Sequence, residues 1–386
     1  MKRGHEMSRQ GRFVTNLEGK LVYKSFQPST LPPQPDIQLS KSIQQQLIQT
    51  YVALGKLEGL SLFMPNTSLL MAMYMRKEAL LSSQIEGTQA TLDDLLDPHI
   101  DLNINNDIKE VLNYTNAYEA SKTLLERLPI SIRYIKELHH ILLTSNRGRE
   151  KEPGFIRHTQ NWIGPLGSTI QTATFVPPNI NDMNEALASL ESFIHQEDMI
   201  DPIIKIGLIH YQFETIHPFL DGNGRIGRLL IPILLKYYRV FEADALYVSY
   251  YFKKHQHMYY DKLMRVRETG DYENFLSFFI DAILHSANHG IQTIDRLLQL
   301  KDQDLLKIQS RHINKKDNIL MLFEYIHEFP ILDIKKTAKY FKKSFNTIAS
   351  WIHILIDLNI LVENTSKKRY RIFYYKVYLD ILRDGL

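Results

Sequence analysis

Apolar residues recur at three- and four-residue spacing through most of the chain, which is the pattern of amphipathic helices. The spacing is clear in residues 42–60, 69–87, 107–128, 131–144, 182–196 and 201–216. Asp201 followed by Pro202 forms a typical helix start, an N-cap and a proline at the first helical position. We therefore predict a mainly α-helical fold.

Two stretches interrupt the helical pattern. Residues 1–40 contain the proline-rich run "PSTLPPQPD", which predicts an extended strap. Residues 161–179, "NWIGPLGSTIQTATFVPPN", combine β-branched residues with two glycines and a closing proline pair. This second stretch predicts a small β-hairpin between helices.

The C-terminal part has the pattern of helix, turn, helix and hairpin. The run "FNTIASWIHILIDLNIL" places Ile348, Trp351, Ile352 and Leu355 on one apolar face, and "LVENTSKKRYRIFY" predicts two strands. The arrangement resembles a winged helix-turn-helix, whose second helix would enter a DNA groove. The basic residues that would then meet phosphates are Lys342, Lys343, Lys367, Lys368 and Arg369. Protein binding or dimerisation through this module stays open.

Composition narrows the class of protein. The chain has 386 residues, which favours two or three domains, and no cysteine. Disulfides, thiolate nucleophiles and cysteine-ligated zinc are therefore excluded. No apolar run approaches a membrane span, and the basic start "MKRGHEMSRQGRF" lacks the apolar core of a secretory signal. We expect a cytoplasmic protein without membrane contact.

Charge is unevenly distributed. The net charge is +3, but the part from Arg311 onward holds 14 Lys and Arg against 8 Asp and Glu. A basic C-terminal segment on a mildly acidic body suggests an anionic partner for that segment. A solvated lysine-rich face explains the charge equally well.

The stretch "HPFLDGNGRIGR", from His217 to Arg228, lies between two predicted helices. Its glycines form a tight turn that leads into a helix N-terminus, where free N–H groups and the helix dipole bind anions. Arg225 and Arg228 share a helix face there. Asp221 is a candidate Mg²⁺ ligand beside phosphates. His217 is a candidate general base.

This stretch resembles the Fic motif, His-x-Phe-x-(Asp/Glu)-Gly-Asn-Gly-Arg-x-x-Arg, at every specified position. The resemblance implies the Fic helical fold and transfer of AMP from ATP to a protein hydroxyl. It implies that His217 deprotonates the target, that Phe219 fixes the loop, and that Asp221 holds Mg²⁺. The implied ATP-binding residues are Asp221, Gly222, Asn223, Gly224, Arg225, Ile226, Gly227, Arg228, Tyr259 and Tyr260.

Two further segments resemble parts of the same family. The hairpin resembles the family's flap, which clamps the target through Thr172, Ala173, Thr174 and Phe175. Tyr259 and Tyr260 lie in a segment that resembles the family's adenine side, although a role as core aromatics is nearly as well supported. Arg267 or Glu268 falls where the family often places a polar contact to the base.

The stretch "SSQIEG", from Ser82 to Gly87, resembles the inhibitory motif of Fic enzymes, (Ser/Thr)-x-x-x-Glu-(Gly/Asn). The resemblance implies that Glu86 pairs with Arg228 and takes the place of the γ-phosphate. Ser82, one helical turn earlier, would hold this helix end. A surface Glu at a helix end is the alternative interpretation.

Together these features predict four regions. They are an N-terminal Fic-associated region with the inhibitory helix (1–105), a Fic catalytic core (106–290), a linking helix (291–310) and a winged helix-turn-helix (311–386). The predicted function is a self-restrained protein adenylyltransferase that uses ATP and Mg²⁺ and modifies Ser, Thr or Tyr hydroxyls, including its own. The alternatives are a DNA-binding transcriptional regulator with a Fic sensor, and other Fic chemistry such as UMP transfer, kinase-like transfer or AMP removal. A homodimer stays open.

Overall fold

A computed structural model describes residues 9–18, 21–62, 67–96, 105–144, 151–312, 316–363 and 371–384. Most of these residues are helical, which confirms the predicted class. None of the helices in the described ranges is long and apolar enough to cross a membrane. Up to residue 310 the helices are α1 (Lys41–Leu62), α2 (Thr67–Ile85), α3 (Leu92–Leu96), α4 (Asn106–Leu125), α5 (Ile132–Leu142), α6 (Ile180–His195), α7 (Pro202–Ile216), α8 (Asn223–Tyr237), α9 (Ser249–Lys254), α10 (Gln256–Thr269) and α11 (Tyr272–Ser310).

Helix α7 lies at the centre of the fold. Every residue from Ile203 to Ile216 is buried, and α6, α8 and α11 pack against it. Asp201 caps its first turn by accepting from the backbone N–H of Ile203 at 2.9 Å. Burial on all sides explains why apolar residues lie on every face of this helix, and the buried helix carries His217 at its C-terminal end.

The prediction of an extended strap is wrong for residues 11–28. Strands β1 (Gly11–Glu18) and β2 (Leu21–Pro28) form an antiparallel hairpin with Gly11 opposite Pro28. The prolines that suggested a strap begin only at Pro28, and the segment 29–40 contains neither helix nor strand. The hairpin is fixed by tertiary contacts, because the Phe26 N–H donates to the Val176 carbonyl at 3.0 Å.

The predicted hairpin in residues 161–179 is reduced to a single pair. Ile163 and Phe175 form one antiparallel bridge, with reciprocal N–H to carbonyl distances of 2.8 and 3.0 Å. The rest of the segment is turn and irregular backbone. Phe175 is 3% exposed, and its ring lies 6.0 Å from that of Phe26. The N-terminal hairpin therefore supports the base of this flap.

The C-terminal part follows the predicted order of elements. It contains α12 (Lys316–Glu328), β3 (Ile331–Asp333), α13 (Ile334–Phe341), α14 (Phe345–Asp357), β4 (Val362–Glu363), β5 (Ile372–Tyr374) and α15 (Lys376–Arg383). The strands form an antiparallel sheet in the order β3-β5-β4. The predicted apolar face of α14 is buried. Assignment to the winged-helix class stays a prediction, and Lys367, Lys368 and Arg369 lie outside the described residues.

Two features connect the C-terminal part to the rest of the chain. Helix α11 is continuous from Tyr272 to Ser310, so the predicted boundary at residue 290 falls inside one helix. Helix α15 contacts the N-terminal helices, because Arg383 pairs with Asp93 at 2.6 Å and Lys77 donates to the Asp384 carbonyl at 2.9 Å. The division into four regions stays a prediction.

Close packing of α7 on α11 gives a stability prediction. A Cβ at Gly207 would lie 2.7 Å from Leu276 Cδ2, so Gly207→Ala should lower the free energy of unfolding by about 1–3 kcal/mol. Gly55, in α1, is the matched control: a Cβ there meets no atom within 4 Å. Gly55→Ala should raise stability by about 0.5–1 kcal/mol. Denaturant unfolding measures both, and equal effects would contradict the packing argument.

Candidate active site

The backbone at His217 is held in a defined conformation at the end of α7. Its φ of 51° and ψ of 59° lie in the left-handed region, and its N–H still donates to the Phe213 carbonyl at 3.0 Å. The His217 carbonyl accepts from Arg157 Nε at 3.1 Å and from Asn161 Nδ2 at 3.3 Å. These donors stabilise a conformation that a non-glycine residue rarely adopts.

The His217 imidazole is suited to accept a proton at neutral pH. Its Nδ1 lies 3.4 Å from the Glu214 carbonyl oxygen, and because a carbonyl only accepts, Nδ1 carries the hydrogen and Nε2 is the basic nitrogen. Burial, with help from the positive charge of Arg267, lowers the pKa of His217 to about 4. The ring is therefore neutral between pH 5 and 8.

The turn after His217 directs the N-terminus of α8 toward the same space. Gly222 has a φ of 80°, a conformation that glycine adopts without strain. The Asn223 side chain closes the loop by accepting from the Phe219 N–H at 2.9 Å and donating to its carbonyl at 2.8 Å. The Phe219 ring stacks on His139 with centroids 3.7 Å apart. The first N–H groups of α8 have no partner within the helix, and such groups attract anions.

Arg228 is the buried cation of this site. Its side chain is 2% exposed, and Nη2 pairs with Glu86 Oε1 at 2.6 Å. Ser82 accepts twice, at Oγ from Nε (2.9 Å) and at its carbonyl from Nη2 (3.0 Å). Burial alone would lower the pKa of Arg228, but Glu86, with smaller contributions from Tyr259, Glu214 and Tyr260, more than offsets burial, and the pKa is raised. The structure thus contains the contact between Arg228 and "SSQIEG" that the inhibitory motif implied.

Glu86 also covers the N-terminus of α8. A Cβ built at Gly224 would lie 2.4 Å from Glu86 Oε1 and 2.9 Å from Arg228 Nη1. The carboxylate therefore lies directly over the first turn of the helix, which only a glycine leaves open. The position that an anion would take at this helix is filled by a side chain of the chain itself.

The remaining charged residues of the turn face each other. Arg225 lies 3.3 Å from Asp221 Oδ1 and 3.6 Å from Glu110 Oε2. Its Nε and Nη1 are buried without a hydrogen-bond partner in the described structure. Asp221 is 46% exposed and also accepts from the Gly222 N–H. The Asp221 carboxylate is therefore accessible to solvent. The Nε and Nη1 groups of Arg225 are buried donors that remain available.

One cavity, of about 470 Å³, joins most of these groups. It is lined by Glu86, Trp162, Ile163, Gly164, Thr174, Phe175, Glu214, His217, Gly224, Arg228, Tyr260, Leu263, Met264 and Arg267. Of the predicted flap residues, Thr174 and Phe175 line it, and Thr172 and Ala173 do not. The cavity places a basic histidine, a helix N-terminus and a buried arginine around one space.

The two tyrosines of the predicted adenine side have different environments. Tyr260 lines the cavity, whereas Tyr259 is 1% exposed and bonds His210 Nε2 at 2.9 Å. His210 Nδ1 in turn lies 3.0 Å from the Gly227 carbonyl. Tyr259 therefore supports α8 from within the core, through His210. This agrees with the alternative role as a core aromatic residue. Ile226 is fully buried.

Arg267 rather than Glu268 reaches the cavity. Its guanidinium carbon lies 3.8 Å from the centre of the Phe175 ring, and Nε donates to Thr215 Oγ1 at 3.1 Å. Arg267 therefore joins the flap to α7 through a cation–π contact.

Sequence reasoning missed Arg157, Asn161, Trp162, Glu214 and the support from residues 11–28. Arg157 and Asn161 act through the backbone of distant residues, so no local pattern marks them. Glu214 had a local signal: it is an acidic residue three positions before His217, near the end of the same helix, and so faces the same side.

The serines of α2 allow a matched stability test of the Arg228 contacts. Ser82 and Ser83 are both fully buried, but Ser82 Oγ accepts from Arg228 whereas Ser83 Oγ has no partner in the described structure. Ser82→Ala should lower the free energy of unfolding by about 1–3 kcal/mol, because a buried charged donor loses its acceptor. Ser83→Ala should have little effect. Equal losses in denaturant unfolding would argue against the contact.

Comparisons with known proteins agree with this geometry. Residues 44–122 match the Fic/DOC family N-terminal model, and residues 129–235 match the Fic/DOC family model. The chain is similar to Protein adenylyltransferase Fic of Drosophila yakuba, with 27% identity over 225 residues that cover 55% of this chain and 41% of the relative. The relative from Drosophila grimshawi is 30% identical over 172 residues, 44% of this chain and 31% of that protein. The chain thus spans less than half the length of these curated relatives.

A solved structure has the same fold. The crystal structure of a Fic family protein from Desulfovibrio desulfuricans aligns with a TM-score of 0.59 and 19% identity, and covers 88% of this chain and 98% of that one. At this identity the similarity concerns the fold alone. The family matches to residues 44–122 and 129–235 show that this part of the chain belongs to the Fic/DOC family.

Proposed function

We propose that this chain transfers AMP from ATP to hydroxyl groups of proteins, including its own. The observation that carries the proposal is the shared cavity, which is lined by His217, by the N-terminus of α8 at Gly224 and by Arg228. The curated relatives are named protein adenylyltransferase Fic, which supports AMP transfer over UMP transfer, kinase-like transfer or AMP removal. Ser, Thr or Tyr hydroxyls would be the acceptors.

His217 would act on the acceptor and not on the nucleotide. Nε2 takes the hydroxyl proton while the oxygen attacks the α-phosphorus, a new P–O bond forms, and pyrophosphate leaves with the electrons of the broken bond. The free N–H groups of α8 would stabilise the charge that develops on the phosphate oxygens. The free donors of Arg225 would add to this stabilisation once Arg225 turns from its carboxylate partners.

Asp221 would hold Mg²⁺. Among the described residues no group of three or more His, Asp or Glu side chains is placed to bind a metal. Mg²⁺ fits this situation, because it binds through one or two carboxylates together with phosphates and water. The exposed Asp221 carboxylate supplies one such ligand. The ion would neutralise phosphate charge, while Asp221 fixes where that charge lies.

The flap would position the acceptor. Thr174 lines the cavity, and its neighbour Phe175 is fixed by the bridge to Ile163. An extended target segment that pairs with residues 172–174 would bring its hydroxyl near His217 through main-chain contacts, with little dependence on target sequence.

Glu86 would restrain the reaction. The carboxylate pairs with Arg228 and covers the first turn of α8, so the γ-phosphate would lose its cation and meet a like charge. Triphosphate binding in the productive geometry therefore requires Glu86 to leave.

Replacement of Glu86 tests both the activity and the restraint. In the full chain, Glu86→Gly should increase labelling by ATP carrying a labelled α-phosphate, about tenfold for each 1.4 kcal/mol of repulsion removed. Self-labelling and lysate proteins provide the acceptors. Labelled UTP in parallel tests the choice of nucleotide. Equal or lower labelling in a folded Glu86→Gly protein would contradict the restraint.

Two control variants assign roles within the same assay. On the Glu86→Gly background, His217→Ala should lower labelling by roughly 10²–10⁴-fold while ATP binding persists. Arg228→Ala should not be rescued by Glu86→Gly, because the partner of the γ-phosphate is itself absent. Undiminished labelling with His217→Ala would remove the histidine from the mechanism.

The C-terminal module supports a second function, DNA binding. The outward side of α14 is polar, with Asn346, Ser350 and His353 exposed. Lys342 and Lys343, in the turn before this helix, are exposed as well. A polar helix face flanked by lysines fits the DNA groove and its phosphates. A protein partner or a second copy of the chain would use the same surface differently.

Salt dependence tests DNA binding on the full chain. Affinity for duplex DNA in gel shifts should fall steeply with salt. Replacing both lysines, Lys342→Gln with Lys343→Gln, should reduce the slope of log affinity against log salt by about 0.9 for each phosphate that the protein no longer neutralises. Glu328→Gln is the control, because it replaces a charged side chain by glutamine without removing a positive charge. It should not reduce the salt slope. Absence of binding at low salt would favour a protein-binding or dimerisation role.

A further inference from the structure

Glu214 is a buried carboxylate that lines the cavity and has no role in the mechanism proposed above. It is 7% exposed, lines the same space as His217 and Arg228, and its Oε1 has no hydrogen-bond partner in the described structure. A buried polar atom without a partner is costly. Such an atom at the wall of a binding cavity indicates a partner supplied by the ligand.

The two neighbouring cations do not occupy this oxygen. Arg228 donates to Ser82 and Glu86. Arg267 donates to Thr215 Oγ1 and to the main-chain carbonyl of Glu214, the latter at 3.3 Å. Both guanidinium groups lie near enough to act on the carboxyl electrostatically, but their hydrogen bonds go to these other acceptors. Glu214 Oε1 is therefore a buried acceptor to which no donor among the described residues is bonded.

Gly227 makes room for the carboxyl. A Cβ built at this position would lie 2.2 Å from Glu214 Oε1 and 3.1 Å from Glu214 Cδ. Any side chain at residue 227 would displace the carboxyl from its place against α8. Residue 227 is the second unspecified position between Arg225 and Arg228. Contact with the Glu214 carboxyl restricts this position to a residue without a side chain.

The chemistry of the wall indicates which part of a nucleotide meets Glu214. A carboxylate repels phosphate oxygens, which the α8 N-terminus and Arg228 attract. The rest of the wall is largely apolar and aromatic, with Trp162, Phe175, Tyr260 and Leu263. Such a wall suits a sugar and base. Burial raises the pKa of the Glu214 carboxyl to about 7, so above pH 7 it is mostly charged and accepts hydrogen bonds.

We propose that Glu214 determines nucleoside specificity by accepting a hydrogen bond from a hydroxyl or amino group of the nucleoside. The inference rests on the proposed function, because it assumes that ATP binds in this cavity. The shared chemistry is an N–H or O–H donor, and the ribose hydroxyls and the 6-amino group of the base are its possible sources.

Binding without turnover isolates this contact. The parent for the test is the full chain with Glu86→Gly and His217→Ala, which opens the site and blocks transfer. Calorimetry at pH 8 gives the Kd of ATP, 2′-deoxy-ATP, 3′-deoxy-ATP and purine riboside triphosphate, which lacks the 6-amino group. The analogue without the recognised donor should bind about 10- to 100-fold more weakly than ATP.

For each analogue, the ratio of its Kd to the Kd of ATP is the quantity compared. Glu214→Ala should reduce this ratio to near 1 for the analogue that lacks the recognised donor, and leave the ratios of the other two analogues unchanged. Ratios are compared because loss of a negative charge shifts the affinity for every triphosphate alike. Glu214→Gln keeps an acceptor and should retain part of the discrimination. Gly227→Ala, which keeps the carboxyl but displaces it, should reduce the same ratio as Glu214→Ala and carries the test if Glu214→Ala does not fold.

The outcomes separate this inference from the proposed function. Unchanged ratios in Glu214→Ala, or a parent that binds ATP without discriminating any analogue, would overturn the inference and leave AMP transfer standing. A parent that does not bind ATP would overturn both. Discrimination that depends on Glu214, in a protein that shows no transfer when His217 is present, would support the inference and contradict AMP transfer.

Discussion

The site is organised around a buried guanidinium that must always have an anionic or polar partner. Arg228 is 2% exposed, and a buried charge without compensation costs several kcal/mol. Ser82 accepts two of its hydrogen bonds from within the fold, but the remaining contact belongs to Glu86 in this structure. Any anion that enters the cavity competes with Glu86 for the same group. The proposed restraint and the proposed nucleotide binding would thus be alternative solutions to one electrostatic requirement.

The surrounding structure fixes the geometry of this competition. The α7–α8 turn is closed by the Asn223 side chain, and Arg157 and Asn161 hold the His217 carbonyl. Because these contacts involve backbone groups, they set the position of the imidazole and of the α8 N-terminus together. The proposed base and the proposed anion site lie on this one turn and are therefore positioned relative to each other before a ligand arrives.

The helix that leads to Glu86 is anchored on both of its sides. Glu78, two turns before Glu86 on α2, is fully buried and accepts from the Ser249 N–H at 2.9 Å and from the Tyr114 hydroxyl at 3.2 Å. The neighbouring Lys77 reaches the Asp384 carbonyl. Glu86 itself follows the last residue of this anchored helix and is exposed. A fixed helix body with an accessible residue at its end allows the Glu86 contact to break without unfolding of α2.

The sequence by itself determined the helical framework and the local chemistry of the turn. Three- and four-residue spacing predicted the helices, and "HPFLDGNGRIGR" predicted a histidine next to a glycine turn and a helix N-terminus. These features depend on residues only a few positions apart. The tertiary structure decided which distant groups meet them: Arg228 and Ser82 are 146 positions apart, and the hairpin of residues 11–28 supports a flap near residue 175. It also decided that Tyr259 faces the core while Tyr260 lines the cavity, and that Glu214 Oε1 is buried without a hydrogen-bond partner among the described residues. Burial and hydrogen-bond partners across such separations come from packing, and no periodicity along the chain encodes them.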